Sequence, residues 1–188
     1  GWSGGTESAL EFSTDKSNWE PLDKTKLETK TAVQSDDKYY LYFRGTDNNT
    51  MGTSFYYDMS EHKSYDNFWI LEGENVYCSG NIENLLDYKT VEKGEHPQMK
   101  ESCFSNMFFC CRSLKTAPEL PATTLAYSCY SNMFDGCTSL EKAPELPATT
   151  LTVSCYQSMF DGCTSLTEAP ELPATTLADS CYSHMFDS

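Results

Sequence analysis

The sequence predicts an α+β protein in two parts. A small β-sandwich-like module spans residues 1–98, and a solenoid of 26-residue units spans residues 99–188. Three observations lead to this. Cys103, Cys129, Cys155 and Cys181 recur every 26 residues, as do Cys111, Cys137 and Cys163 and also Leu114, Leu140 and Leu166. Each unit joins a four-residue apolar spacing to a proline-bounded segment. The first 98 residues lack that period and alternate in short strand-like runs instead.

In the first part, Ala9–Ser13 and Lys38–Arg44 read as strands, the second ending at the turn residues Gly45–Asn49. Phe68–Leu71 and Asn75–Cys78 read as two more, around Glu72-Gly73-Glu74, and Asn81–Leu85 as a short helical turn. Several short strands with turn signals predict the sandwich. In the repeats, Leu125, Cys129, Met133 and Cys137, with Tyr130 and Phe134 beside them, predict one apolar face of a short helix. Ser128 would cap its start and Gly136 would take the left-handed position at its end. Pro144 and Pro147 make Leu140–Pro147 extended, and Ala148-Thr149-Thr150 turns into the next unit. Such a unit cannot bury its own apolar face, and stacked neighbours can. A degenerate unit precedes these around Cys103–Thr124. The last unit stops at Ser188, where Asp135-Gly136 and Asp161-Gly162 run on into Cys-Thr-Ser-Leu, and it is read as incomplete.

Charge narrows the function. The chain has 28 acidic and 13 basic residues, a formal net charge of −15. Residues 1–98 carry −9 and residues 99–188 carry −6, so both parts repel a phosphate backbone and an anionic membrane surface. No nucleic-acid partner and no membrane insertion are expected; no apolar run approaches the ~18 residues of a spanning helix. No cofactor is expected either. The spacing Cys-x7-Cys fits no common zinc pattern and no His repeats with it. The nine cysteines are read as free buried thiols rather than a disulfide framework or a metal site.

The blocks Ser-Cys-Tyr-x-x-Met-Phe-x-Gly-Cys-Thr-Ser-Leu and Ala-Pro-Glu-Leu-Pro-Ala-Thr-Thr-Leu resemble the BspA-like leucine-rich repeats of bacterial surface proteins over residues 100–188. Met133, Phe134, Cys137 and Leu140 fill the positions that carry the likeness. The two prolines of the extended segment depart from the pattern and predict a few short bridges in place of a regular parallel sheet. Phe12–Leu22, Tyr42–Thr46 and Cys78–Ile82 with Leu85-Leu86 resemble the β-rich module set before such repeats in gut-bacterial surface and phage-encoded proteins. The resemblance implies a right-handed leucine-rich-repeat solenoid whose first unit is capped by that module. It also implies a non-enzymatic cell-surface or secreted protein that mediates adhesion or protein–protein interaction. The expected partner is an extracellular protein or a glycan.

A binding face on the repeats would use positions that vary between units, among them Tyr127, Val153 and Asp179, or the recurring Glu119, Glu145 and Glu171. The alternative is a carbohydrate-binding first half on a repeat stalk, in which Trp19, Trp69, Tyr57 and Tyr65 stack on sugar rings. A phage-associated receptor binder is a third reading. Catalysis is not expected. His62, His96 and His184 sit in no catalytic motif, and the chain has no Gly-x-Ser-x-Gly, phosphate loop or His-Glu-x-x-His.

Overall fold

The structure is a computed structural model that describes residues 9–22, 33–35, 38–48, 51, 54–58, 63–67, 69, 71 and 73–187. The chain forms two compact units that interleave along it. One comprises Gly1–Asn49 with Glu83–Pro97, the other Thr50–Ile82 with Gln98–Ser188. Residues 50–82 thus share a unit with the repeats.

In the first unit, Leu10 and Phe12 of strand β1 (Leu10–Ser13) are buried and Glu11 between them is not, the period-2 pattern of a half-buried strand. β1 is central and antiparallel to both β2 (Glu20–Pro21) and β5 (Tyr42–Gly45). β3 (Val33–Ser35) and β4 (Lys38–Tyr40) form a separate hairpin. Helix α1 (Asn84–Glu92) packs on β5 and buries Leu85 and Leu86. A Cβ at Gly45 would lie 1.8 Å from the Leu85 carbonyl oxygen, so only glycine lets strand and helix meet this closely. The helix is interrupted at Asp87, which is extended (φ −152°, ψ 96°). Its carboxylate accepts from the Lys89 N–H and the Thr90 hydroxyl and so restarts the helix as an N-cap.

In the second unit, β6 (Ser54–Asp58) and β7 (Lys63–Asn67) form a hairpin, and β8 (Val76–Tyr77) lies parallel to β9 (Leu114–Thr116). Of the predicted strand Phe68–Leu71, Phe68 and Ile70 lie outside the described residues, and Trp69 and Leu71 are not in a strand.

The repeats overturn the predicted fold class. Among the described residues the only helix is α1, and it precedes the repeats; strands, turns and loops make up the rest. The helix-plus-extended leucine-rich-repeat solenoid is not formed. Nor is the N-terminal sandwich seen among the described residues, where the β2–β1–β5 sheet has α1 packed on its β5 strand and no second sheet in contact with it.

The physical reason lies in the turns. Ser128, Asn132 and Gly136 have φ of 49°, 55° and 72°, and Ser154, Ser158 and Gly162 repeat this at 55°, 51° and 65°. A left-handed residue every fourth position stops each helical turn after one bond. Intermediate N–H groups do close turns within a unit, as Met133 N–H does to the Tyr130 carbonyl (3.2 Å). The alternate N–H groups face the next unit. Ser128, Tyr130, Asn132, Phe134 and Gly136 donate to the carbonyls of Val153, Cys155, Gln157, Met159 and Asp161 at 2.8–3.1 Å. The four-residue apolar spacing is real, but it is the period of these turns and not of a helix.

Stacking aligns equivalent side chains in columns. Phe104, Tyr130, Tyr156 and Tyr182 lie with ring centroids 5.8 Å apart, and Phe108, Phe134, Phe160 and Phe186 at 5.5–5.7 Å. Tyr130, Tyr156, Phe134 and Phe160 are almost wholly buried. Short parallel bridges, Thr116 to Lys142 and Thr124 to Thr150, join the proline-bounded segments.

Phe134→Ala empties the middle of one column. It is expected to cost about 3–5 kcal/mol, read as a lowered urea midpoint in equilibrium unfolding.

Candidate functional site

The backbone ladder sets the outer face of the repeats. The carbonyls of Tyr127, Val153 and Asp179 accept from Ser102, Ser128 and Ser154 at 2.8, 3.1 and 3.0 Å, so these three residues occupy equivalent places on successive units. All three are exposed, Tyr127 at 49% and Val153 at 40%. Two large apolar side chains thus stand open beside each other on a hydrogen-bonded frame. Glu119, Glu145 and Glu171 are also exposed, and no cation pairs with them among the described residues. Lys115 and Glu141, equivalent positions of adjacent units, form an ion pair at 2.9 Å.

The candidate sugar-stacking aromatics belong to different compact units, Trp19 to the first and Tyr57, Tyr65 and Trp69 to the second. One face of the Trp19 ring is covered by the Arg44 guanidinium, 4.1 Å from its centroid. Arg44 also lies 4.2 Å from the Tyr88 centroid, and its Nε bonds Glu11 at 2.7 Å. This cation–π arrangement occupies one face of the Trp19 ring. Trp69 serves the repeats: its N–H donates to the Met107 carbonyl and its carbonyl accepts the Cys111 thiol at 3.0 Å. Tyr57 and Tyr65 lie on the paired strands β6 and β7, opposite Ser64 and Tyr56. The part played by Arg44 was missed in the sequence, where no spacing links Glu11, Trp19, Arg44 and Tyr88.

All nine cysteines are free and seven are buried. Cys137 and Cys163 donate their thiols to the carbonyls of Phe108 and Phe134, each at 3.1 Å and each in the preceding unit. Burial raises the thiols of Cys111, Cys129, Cys137 and Cys155, and pushes Cys163 up to about 12. These are inert protonated donors rather than nucleophiles. Asp135 is likewise held above the ordinary carboxylate range, first by burial and then by the charge of Asp161, despite its bond from Asn132.

Among the histidines, His96 Nδ1 lies 2.8 Å from the buried Glu83 carboxylate, and His184 Nδ1 lies 2.6 Å from Asp187. The latter hydrogen bond raises the exposed His184 above its ordinary value. His62 lies outside the described residues. Among the described residues no three His, Cys, Asp or Glu side chains gather as metal ligands, and no helix is long and apolar enough to cross a membrane. No protein-family model, curated protein or solved structure matches the chain.

The thiols generate two predictions. The exposed Cys110 should react first with a thiol reagent in the native chain, and the seven buried cysteines only on unfolding, as read by mass spectrometry of labelled peptides. A thiol raised on folding stabilises the fold fully below its unfolded value, and that stability is lost as pH climbs through the folded value. For Cys163 the window runs from 9.0 to about 12. The urea midpoint should therefore fall across that range, and fall less steeply in Cys163→Ala.

Proposed function

We propose that the chain is a non-enzymatic interaction protein, secreted or at a cell surface, that binds an extracellular protein through the outer face of its stacked repeats. The observation that carries this reading is the in-register exposure of Tyr127 and Val153 beside Asp179. Aromatic and aliphatic side chains held open on a rigid frame lose little entropy when a partner covers them. Tyrosines such as Tyr127 are enriched among the contacts that dominate the energy of protein interfaces. The surface location rests on the sequence likeness to BspA-like surface proteins, which concerns motifs rather than the architecture the repeats adopt. The net charge of −15 favours a partner with a basic rim around an apolar centre.

The glycan reading has less support, since Arg44 occupies one face of Trp19. The test is to immobilise the full chain against panels of extracellular proteins and of glycans. A protein ligand should bind, and Tyr127→Asp with Val153→Asp should weaken it at least about tenfold with no change in the urea midpoint. Binding confined to glycans, or protein binding that ignores both substitutions, would overturn the proposal.

A further inference from the structure

Three side chains of the first unit hold Arg44. Its Cζ lies 4.1 Å from the Trp19 ring centroid and 4.2 Å from that of Tyr88, and its Nε donates to Glu11 Oε2 at 2.7 Å. Separate local devices bring these partners there. The Asp15 carboxylate accepts the N–H groups of Ser17 and Asn18, each at 2.8 Å, and the Trp19 indole N–H closes the same loop on the Lys16 carbonyl at 3.1 Å. The break in α1 at Asp87 sets Tyr88 at the start of the renewed helix. Glu11 and Arg44 face each other across the β1–β5 pairing.

This arrangement leaves one end of the guanidinium open. Its Nε is spent on Glu11, and among the described residues neither Nη group donates a hydrogen bond. Neither is shut away from water. A hollow of about 400 Å³ opens here, lined by Glu11, Pro21, Arg44, Thr46, Tyr88 and Lys89. That is room for a ligand of several heavy atoms rather than for one water. All six residues belong to the first unit.

The charges in the hollow select the ligand. Arg44 and Lys89 stand against the single carboxylate of Glu11, a surplus of one positive charge in a chain of net charge −15. Asp87 does not line the hollow, and its carboxylate serves the Lys89 N–H and the Thr90 hydroxyl. Paired N–H donors in one plane match the two oxygens of a carboxylate or one edge of a phosphate. Charge decides between the two. One surplus positive charge balances a monoanion, while a phosphate carries more negative charge than the hollow neutralises and is repelled further by the whole chain. A cation would meet Arg44 and Lys89.

We propose that this hollow is a binding site for a carboxylate, free or on a peptide side chain, which pairs edge-on with the Arg44 Nη groups and gains further charge from Lys89 and a hydroxyl from Thr46. The two rings and Glu11 fix the guanidinium before the ligand arrives, so little side-chain entropy is lost on binding. The site is independent of the exposed row on the repeats.

The test titrates the full chain with N-acetylglycine, with its primary amide, with a Gly-Glu-Gly peptide blocked at both ends, and with inorganic phosphate. The Arg44 Nε–H signal and the Thr46 and Lys89 amides are followed by NMR. N-acetylglycine should shift them saturably, at least about tenfold more tightly than the amide or phosphate. Binding of the blocked peptide as well places the ligand on peptide side chains; binding of the free acid alone confines the site to small carboxylates. Arg44→Lys keeps the charge and loses the fork, and should weaken the acid at least about tenfold. Lys89→Gln, at an exposed position, should weaken it about threefold with the urea midpoint unchanged. Equal shifts by acid and amide, tighter binding of phosphate, or no saturable shift would each overturn the proposal.

Discussion

Everything in the repeats depends on one constraint: a left-handed residue at every fourth position, which turns alternate N–H groups out of the coil toward the next unit. In Ser128, Asn132 and Gly136 it costs strain at the two positions that are not glycine, about 1–2 kcal/mol each. Five hydrogen bonds per interface, worth about 1 kcal/mol each, offset it. The rings of the two columns add burial worth about 1.5–3 kcal/mol apiece. No unit can form this way alone, because its outward N–H groups have no use until a neighbour arrives. Cooperativity along the stack follows from that backbone geometry rather than from helix propensity.

The same constraint explains the cysteines. Cys137 and Cys163 are small enough to sit beneath the rings, and each thiol reaches the carbonyl of the residue 29 positions earlier. Cysteine is a small, nearly apolar donor here, and serine in its place would bury a stronger polar group. At the equivalent first position, Cys111 does the same to Trp69. The periodic cysteine is thus a packing element that also ties units together, and burial keeps it protonated.

Within the turn segments the ladder has one direction: alternate N–H groups from Ser128 to Gly136 donate to the carbonyls of the following unit. Before the first unit, the N–H groups of Met51 and Trp69 donate to the carbonyls of Cys103 and Met107 in the same pattern. The variable residues Tyr127, Val153 and Asp179 are exposed beside this ladder, so their side chains lie apart from the buried columns. Substitution at Tyr127 or Val153 leaves both the columns and the ladder untouched.

The sequence by itself determined the 26-residue period, the positions buried in each unit, the left-handed glycine at Gly136, the strand at Leu10–Ser13 and the exposed row of Tyr127, Val153 and Asp179. Those follow from spacing and side-chain chemistry, which are local or periodic. Tertiary structure decided whether a four-residue apolar spacing becomes helix or turn. Serine and asparagine can adopt left-handed φ but do not demand it, and only the neighbouring unit's carbonyls make that choice favourable. It also decided the fate of the aromatics. Arg44 reaches Trp19 because β1 pairs with β5, and Trp69 reaches Met107 because residues 50–82 pack with the repeats; no pattern along the chain encodes either meeting.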